Sequence, residues 1–170
     1  MAKHGIVRTD NMSGIFDGAD LVTLRYKVAG AETAIDNGCF CTVGAFEDKQ
    51  REVRAAGTPE ADSALDSLAL IASEEVDKSK KYGALADFEN KAGALLRGYK
   101  LRKGHFFSLS AEAFDKAESV VPTVGTSILE AQAGVKGKLV NSATSGSTKI
   151  ADLVRIEQAG SVTLYVFEIA

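Results

Sequence analysis

The residues best suited to chemistry in this chain are two closely spaced cysteines and two separated histidines. Cys39 and Cys41 are one residue apart, and in a strand this spacing points both side chains to the same face. A disulfide between them would close a tiny, strained loop, so we expect reduced, half-buried thiols. His4 and His105 do not add the matched spacing that a metal site needs, and nothing in the sequence gives His105 a nucleophile or an orienting acid. The sequence predicts no disulfide framework, no metal site and no cofactor.

Motifs for phosphate binding and for acid–base catalysis are incomplete. Gly137-Lys138 begins like a phosphate-binding loop, but Gln132 stands where the first glycine belongs and Leu139 stands where Ser or Thr belongs. The acid pair Glu74-Glu75 lies in polar, lysine-rich surroundings, whereas glycosidase chemistry needs a carboxyl with a raised pKa in a cleft. We therefore predict that the protein is not an enzyme.

A cluster of cations and aromatic residues raises the question of nucleic-acid binding. It comprises Tyr99, Lys100, Arg102, Lys103, Phe106 and Phe107. Single-strand binders mix these residue types, but strand alternation places Tyr99 on the face opposite Lys100 and Arg102. The formal charge of the chain is −3, which disfavours an electrostatic nucleic-acid binder. A core-facing tyrosine with a charged outer face is the simpler interpretation.

The elements that would position these residues have the period of strands in the first half of the chain. Leu21 to Val28 alternates apolar and polar residues, and Cys39 to Val43 is β-prone after a turn at Asp36-Asn37-Gly38. Residues Arg51 to Ala56 are expected to return antiparallel. Helix propensity is high from Thr58 onward, yet Leu68 to Ala72 is a short apolar run that favours a buried strand.

The second half reads as further short strands divided by glycines. Leu95 to Leu101 and His105 to Leu109 are predicted to form a hairpin around Lys103-Gly104, and Ser110 is expected to cap a short helix over Ala111 to Ala117. The remaining extended candidates are Thr126 to Ala133, Lys138 to Ala143, Lys149 to Gln158 and Ser161 to Ile169. Evenly spaced short strands with few helices predict a mainly β fold, or an α+β fold with short helices, organised as a barrel or sandwich.

Length and composition fit a single domain. The chain has 170 residues, of which 45% are hydrophobic and 25% charged, a balance that excludes intrinsic disorder and a membrane span. We expect residues 1–18 to form an extended N-terminal arm and residues 19–170 a single β-rich domain. The polar stretch 77–90 is expected to be an exposed loop, and long loops of this kind often make contacts.

From Asp66 to Phe114 the order of features resembles that of small virion proteins of tailed bacteriophages, which are capsid decoration or cement proteins of the head. The segments that carry the resemblance are Leu68 to Val76, Ala86 to Gly93 and Arg97 to Ser108, with Ile35 to Gly38 upstream and Val135 to Ile169 downstream. It covers most of residues 35–170. It is a similarity of pattern without a signature motif, and it supplies no catalytic residues.

The resemblance implies a protein that binds the lattice of the major capsid protein on the outside of the virion and stabilises the head, with copies assembling as a homotrimer on the capsid surface. Its expected partners include neither membrane nor nucleic acid. The expected contacts are the apolar anchors of the arm and the cationic loop, namely Ile6, Val7, Ile15, Phe16, Lys78, Lys80, Lys81 and Tyr82. The alternative is a phage tail component, or a β-barrel binding module for carbohydrate or nucleic acid that would use the loop Asp77 to Asn90 or the hairpin Arg97 to Phe107.

Overall fold

The computed structural model describes residues 4–13, 18–75 and 87–170. The predicted fold class is confirmed, since 45% of the chain is strand and 8% is helix. Within the described part of the chain the helical segments are three-residue turns, at Thr9–Asn11, Gly18–Asp20, Leu65–Ser67 and Ala111–Ala113. The strands are β1 (Leu21–Val28), β2 (Ala31–Glu32), β3 (Phe40–Phe46), β4 (Val53–Gly57), β5 (Leu68–Ile71), β6 (Leu96–Lys100), β7 (Phe106–Ser110), β8 (Phe114–Lys116), β9 (Ile128–Glu130), β10 (Gly137–Val140), β11 (Lys149–Ala159) and β12 (Val162–Ile169).

The first sheet closes into a five-stranded barrel. Its strands follow the order β1, β4, β3, β5 and β6, and β6 returns to pair antiparallel with β1. The pairing of β1 with β4 is parallel, and β2 extends β1 as a short hairpin. Inside the barrel Leu24, Tyr26, Ile71 and Leu96 pack with both cysteines. A closed sheet leaves no free strand edge on the barrel itself.

The second sheet is a curled half-barrel that lies against the first. Its order is β7, β12, β11, β9, β10 and β8, with the one parallel pair between β8 and β10. Phe107 stacks on Phe167 at 5.5 Å between ring centroids and meets Phe40 of the barrel edge-on at 6.1 Å. This aromatic group is the centre of a core shared by both sheets.

Strand β5 separates the core between the two sheets from the barrel interior. Leu68 and Leu70 face the core between the sheets, whereas Ala69 and Ile71 face the barrel interior. All four side chains have zero exposure. A strand buried on both faces is expected to be a continuous apolar run, which is why this segment lacks alternation and why its helix propensity did not decide its structure.

The sequence located several strands correctly. β1 has the predicted bounds, β3 and β4 form the predicted antiparallel pair, and β5 lies in the predicted apolar run. The four extended candidates near the C-terminus each overlap a strand, although β9 and β10 are only three and four residues long. Local alternation and turn residues were sufficient for these elements.

Two local predictions were wrong. β6 and β7 are not hairpin partners, because β6 pairs with β1 and β5 while β7 pairs with β12. The connection between them crosses from one sheet to the other and buries Leu101 on the way. The predicted helix after Ser110 is a three-residue turn at Ala111–Ala113 followed by β8, because Phe114 packs edge-on against Tyr165 and Phe167.

Candidate interaction surfaces

The contact residues predicted from the sequence fall into two groups. Ile6 and Val7 are buried in the chain's own fold, with exposures of 6% and 3%, so they are not exposed anchors on this chain. The other predicted contacts lie outside the described residues; they are Ile15, Phe16, Lys78, Lys80, Lys81 and Tyr82.

The N-terminal segment, residues 4–13, corrects the expectation of a free arm. It lies along β7, where the Ile6 amide donates to Ser110 Oγ at 3.1 Å and the Ser110 amide donates to the Ile6 carbonyl at 3.0 Å. Further along, the Ser13 amide donates to the Phe106 carbonyl at 3.1 Å. The segment thereby pairs with the outer edge of β7 and buries apolar side chains, which stabilises it on its own domain.

The two cysteines are free and more deeply buried than predicted. Cys39 is 2% exposed and Cys41 is fully buried, both in the barrel interior. Burial raises the pKa of both thiols to about 12. Because the thiolate is the nucleophile and the metal ligand, these thiols are inert packing residues at neutral pH.

The histidines and acids show no catalytic arrangement among the described residues. His4 Nδ1 lies 2.8 Å from Asp36 Oδ1, and both side chains are partly buried. Within residues 4–13, 18–75 and 87–170, no three His, Cys, Asp or Glu side chains come together as a set of metal ligands. The sequence-based prediction that the protein is not an enzyme stays a prediction.

The cation and aromatic cluster does not form a stacking platform. Phe107 is buried in the core between the sheets, and Tyr99 packs against the same core. Arg102 Nε pairs with Oδ1 of Asp20, a carboxylate that is itself only 2% exposed. One ring of this cluster, Phe106, reaches solvent at 37% exposure, whereas single-strand binders use several exposed rings in succession.

A buried amide joins the two ends of the segment that contains the predicted loop. Asn37 is 1% exposed, and its Nδ2 donates to the Ser73 carbonyl at 2.9 Å. Its Oδ1 accepts from the Ser73 amide and from Asn90 Nδ2, both at 3.0 Å. Nδ2 also lies 3.4 Å from Glu75 Oε1, and burial raises the pKa of that carboxyl. Asn37 therefore ties together described residues on both sides of residues 76–86.

A loop between β8 and β9 presents exposed apolar side chains, and we call residues 117–127 the Val121 loop. Val121 is 70% exposed and Val124 is 50% exposed. The neighbouring Val120, at 8% exposure, is anchored in the core. No charged residue occurs between Glu118 and Glu130, and contiguous exposed apolar patches are typical of interaction sites.

The Val121 loop is held in one shape by hydrogen bonds. The Thr123 amide donates to Ser127 Oγ at 2.8 Å, and that hydroxyl donates to Asn141 Oδ1 at 2.6 Å. The Gly125 amide donates to the Leu153 carbonyl at 2.9 Å, which fixes the loop to β11. A preorganised loop loses little conformational entropy on binding. Sequence reasoning missed this loop; its signal was a charge-free stretch rich in valine around Pro122.

Comparison with known proteins gave no match to a family model, to a curated protein or to a solved structure. Among the described residues, no helix is long and apolar enough to cross a membrane.

Proposed function

We propose that this chain is a virion structural protein of a tailed bacteriophage, a capsid decoration protein that binds the major capsid protein lattice and stabilises the head. The observation that carries the proposal is the Val121 loop, a hydrogen-bonded surface loop that exposes two valines. The resemblance of most of residues 35–170 to small phage head proteins is the reason for naming the capsid lattice as the bound surface.

The Val121 loop supports a role in covering another protein surface. Burying one valine side chain contributes about 1.5–3 kcal/mol, and Val121 and Val124 are each already partly covered, so together they contribute about 2 kcal/mol per copy. That corresponds to roughly thirtyfold in Kd, which is modest for one contact. Many copies on a repeating lattice, each bridging adjacent subunits, would together resist internal pressure through multivalency.

The mainly β framework also suits a mechanical role. Strand β5 of the closed barrel is buried on both faces, and the pairings of β1 with β6 and of β7 with β12 join strands distant in sequence. In this proposal copies sit at joints between capsid subunits as a homotrimer, and the composite site forms when the lattice expands. In this arrangement the N-terminal segment stays packed on its own domain and does not extend onto a neighbouring capsid subunit.

Co-sedimentation tests the proposal. Purified protein is mixed with cognate expanded empty capsids and with unexpanded procapsids, and the copies bound per capsid subunit are measured against protein concentration. We expect saturable binding to expanded capsids and none to procapsids. Absence of binding to either particle would refute the decoration role and favour a tail component or a free binding module.

A matched pair of substitutions tests the surface. Val121→Asp should weaken capsid binding by at least about tenfold, because a carboxylate would be desolvated at the contact. Val28→Asp is the control, since Val28 is 43% exposed at the end of β1 in the barrel. Equal binding by both variants would contradict the assignment of the Val121 loop as the contact.

A further inference from the structure

A second surface feature lies at one end of the barrel, and we call it the barrel-end groove. It forms where β1 and β4 begin and where β3 and β6 end, and it has a volume of about 370 Å³. Its lining includes Leu21, Thr23, Phe46, Glu52, Arg54 and Lys100. None of these residues belongs to the Val121 loop or to the N-terminal segment.

The aromatic and the guanidinium in the groove hold each other in place. Phe46 is 52% exposed, and the Arg54 guanidinium carbon lies 4.0 Å from its ring centroid. Arg54 also donates from one terminal nitrogen to the Gly44 carbonyl at 3.2 Å. A stacked guanidinium with one nitrogen satisfied by backbone is preorganised, and its remaining N–H groups are suited to bidentate binding of a carboxylate.

The two cations of the groove have no carboxylate partner among the described residues. Neither Arg54 nor Lys100 forms an ion pair there, whereas Arg25 and Lys27 on β1 share Glu47. Glu52, the single acid of the groove, leaves the lining with one net positive charge. This is a local excess of positive charge on a chain whose formal charge is −3.

We infer that the barrel-end groove binds an acidic peptide segment of a partner protein, with a carboxylate between Arg54 and Lys100 and an adjoining apolar side chain against Phe46. The charge complementarity is to a single carboxylate, because Glu52 would repel a closely following anion. A nucleic acid fits less well, since it presents a phosphate at every nucleotide and calls for several stacking rings. The inference does not depend on the proposed function, because a tail component or a binding module would carry the same groove.

Fluorescence anisotropy on the full chain tests the inference with a fluorescein-labelled, C-terminally amidated peptide that carries one glutamate next to one leucine in a glycine and serine background. We expect saturable binding that weakens with added salt, and no binding of a labelled lysine and leucine peptide of equal length. Labelled oligothymidylate is the third probe. Tighter binding of oligothymidylate, or binding of the lysine peptide, would overturn the inference.

Three variants and one control locate the site. Lys100→Gln and Arg54→Gln should each weaken binding of the glutamate peptide by about tenfold, and Phe46→Ala should weaken it by a smaller factor. Lys116→Gln is the matched control, because Lys116 is an exposed cation on β8 of the other sheet. Far-UV circular dichroism verifies that each variant is folded. Unchanged affinity in folded Lys100→Gln would exclude the groove as the site.

Discussion

Replacing Asn37 by alanine should cost more stability than almost any other single polar substitution in this chain. The side chain of Asn37 is 1% exposed, and both ends of its amide are fully engaged. It donates to the Ser73 carbonyl and accepts from the Ser73 amide and from Asn90 Nδ2, at 2.9 to 3.0 Å. Asn37 thereby bonds to residues on both sides of residues 76–86.

The magnitude follows from the groups that alanine would leave without a partner. These are the amide and carbonyl of Ser73 and the side-chain amide of Asn90, whose residues are 9% and 4% exposed. An unsatisfied buried polar group costs about 1–3 kcal/mol. Since Ser73 is close enough to the surface for water to satisfy part of the loss, we expect Asn37→Ala to lower the free energy of unfolding by about 3–4 kcal/mol.

Urea unfolding followed by far-UV circular dichroism measures this loss at constant m-value. Gln158→Ala is the control, because Gln158 is an exposed amide whose side chain donates to Thr163 Oγ1 at 2.7 Å on the surface. Water can replace that bond, so the control should lose about 1 kcal/mol or less. Equal losses in the two variants would refute the reasoning, because they would mean that water replaces the partners of Asn37 just as well.

Two further predictions concern the barrel. A Cβ added at Gly98 would lie 2.5 Å from a leucine methyl inside the barrel. Gly98→Ala should therefore destabilise the protein by about 1–2 kcal/mol, as measured by thermal unfolding. Gly18→Ala is the control and should be neutral, because a Cβ there would meet open space. A hydrogen bond from Lys27 lowers the pKa of Glu47 in the folded protein. The stability that Glu47 contributes is therefore present above the usual carboxyl pKa, and it is lost as the pH falls through the lowered pKa of the folded state. Glu47→Gln should therefore flatten the acid side of the Tm–pH curve, and parallel curves would contradict this.

Sequence reasoning located the strands whose neighbours along the chain determine them. β1 alternates over Leu21–Val28, and the turn before β3 and the turn between β3 and β4 set that antiparallel pair. β5 was found from its apolar run, although the sequence could not show that both of its faces are buried. Side-chain period and turn residues are local properties, so they identify an element without identifying its distant partner.

The errors occurred where distant partners decide the structure. The turn Lys103-Gly104 connects two short strands, as a hairpin turn would. However, β6 pairs with β1 to close the barrel, and β7 pairs with β12 in the second sheet. The helix propensity of Ala111–Ala117 does not produce a helix, because Phe114 packs against two aromatic rings of β12 in an extended conformation. Both outcomes depend on contacts between residues more than forty positions apart, which no local pattern encodes.

The predicted contact residues show the same limitation. Ile6 and Val7 are the apolar pair of the predicted arm, and the sequence gives no sign of the β7 edge that buries them. The Val121 loop and the barrel-end groove consist of ordinary residues whose exposure is set by the fold. Val121 is 70% exposed and the adjacent Val120 is 8% exposed, although the residue type is the same.

The N-terminal segment also restricts how a partner can be recognised. Its backbone hydrogen bonds with Ser110 and Phe106 occupy the outer edge of β7, and the barrel is closed, so a partner strand could add at either place only by breaking pairs that the chain already makes. Breaking them would also expose Ile6 and Val7, at a cost of about 1.5–3 kcal/mol for each side chain. Recognition through side chains carries no such cost. The exposed valines of the Val121 loop and the stacked Arg54 and Phe46 of the barrel-end groove can be recognised in this way.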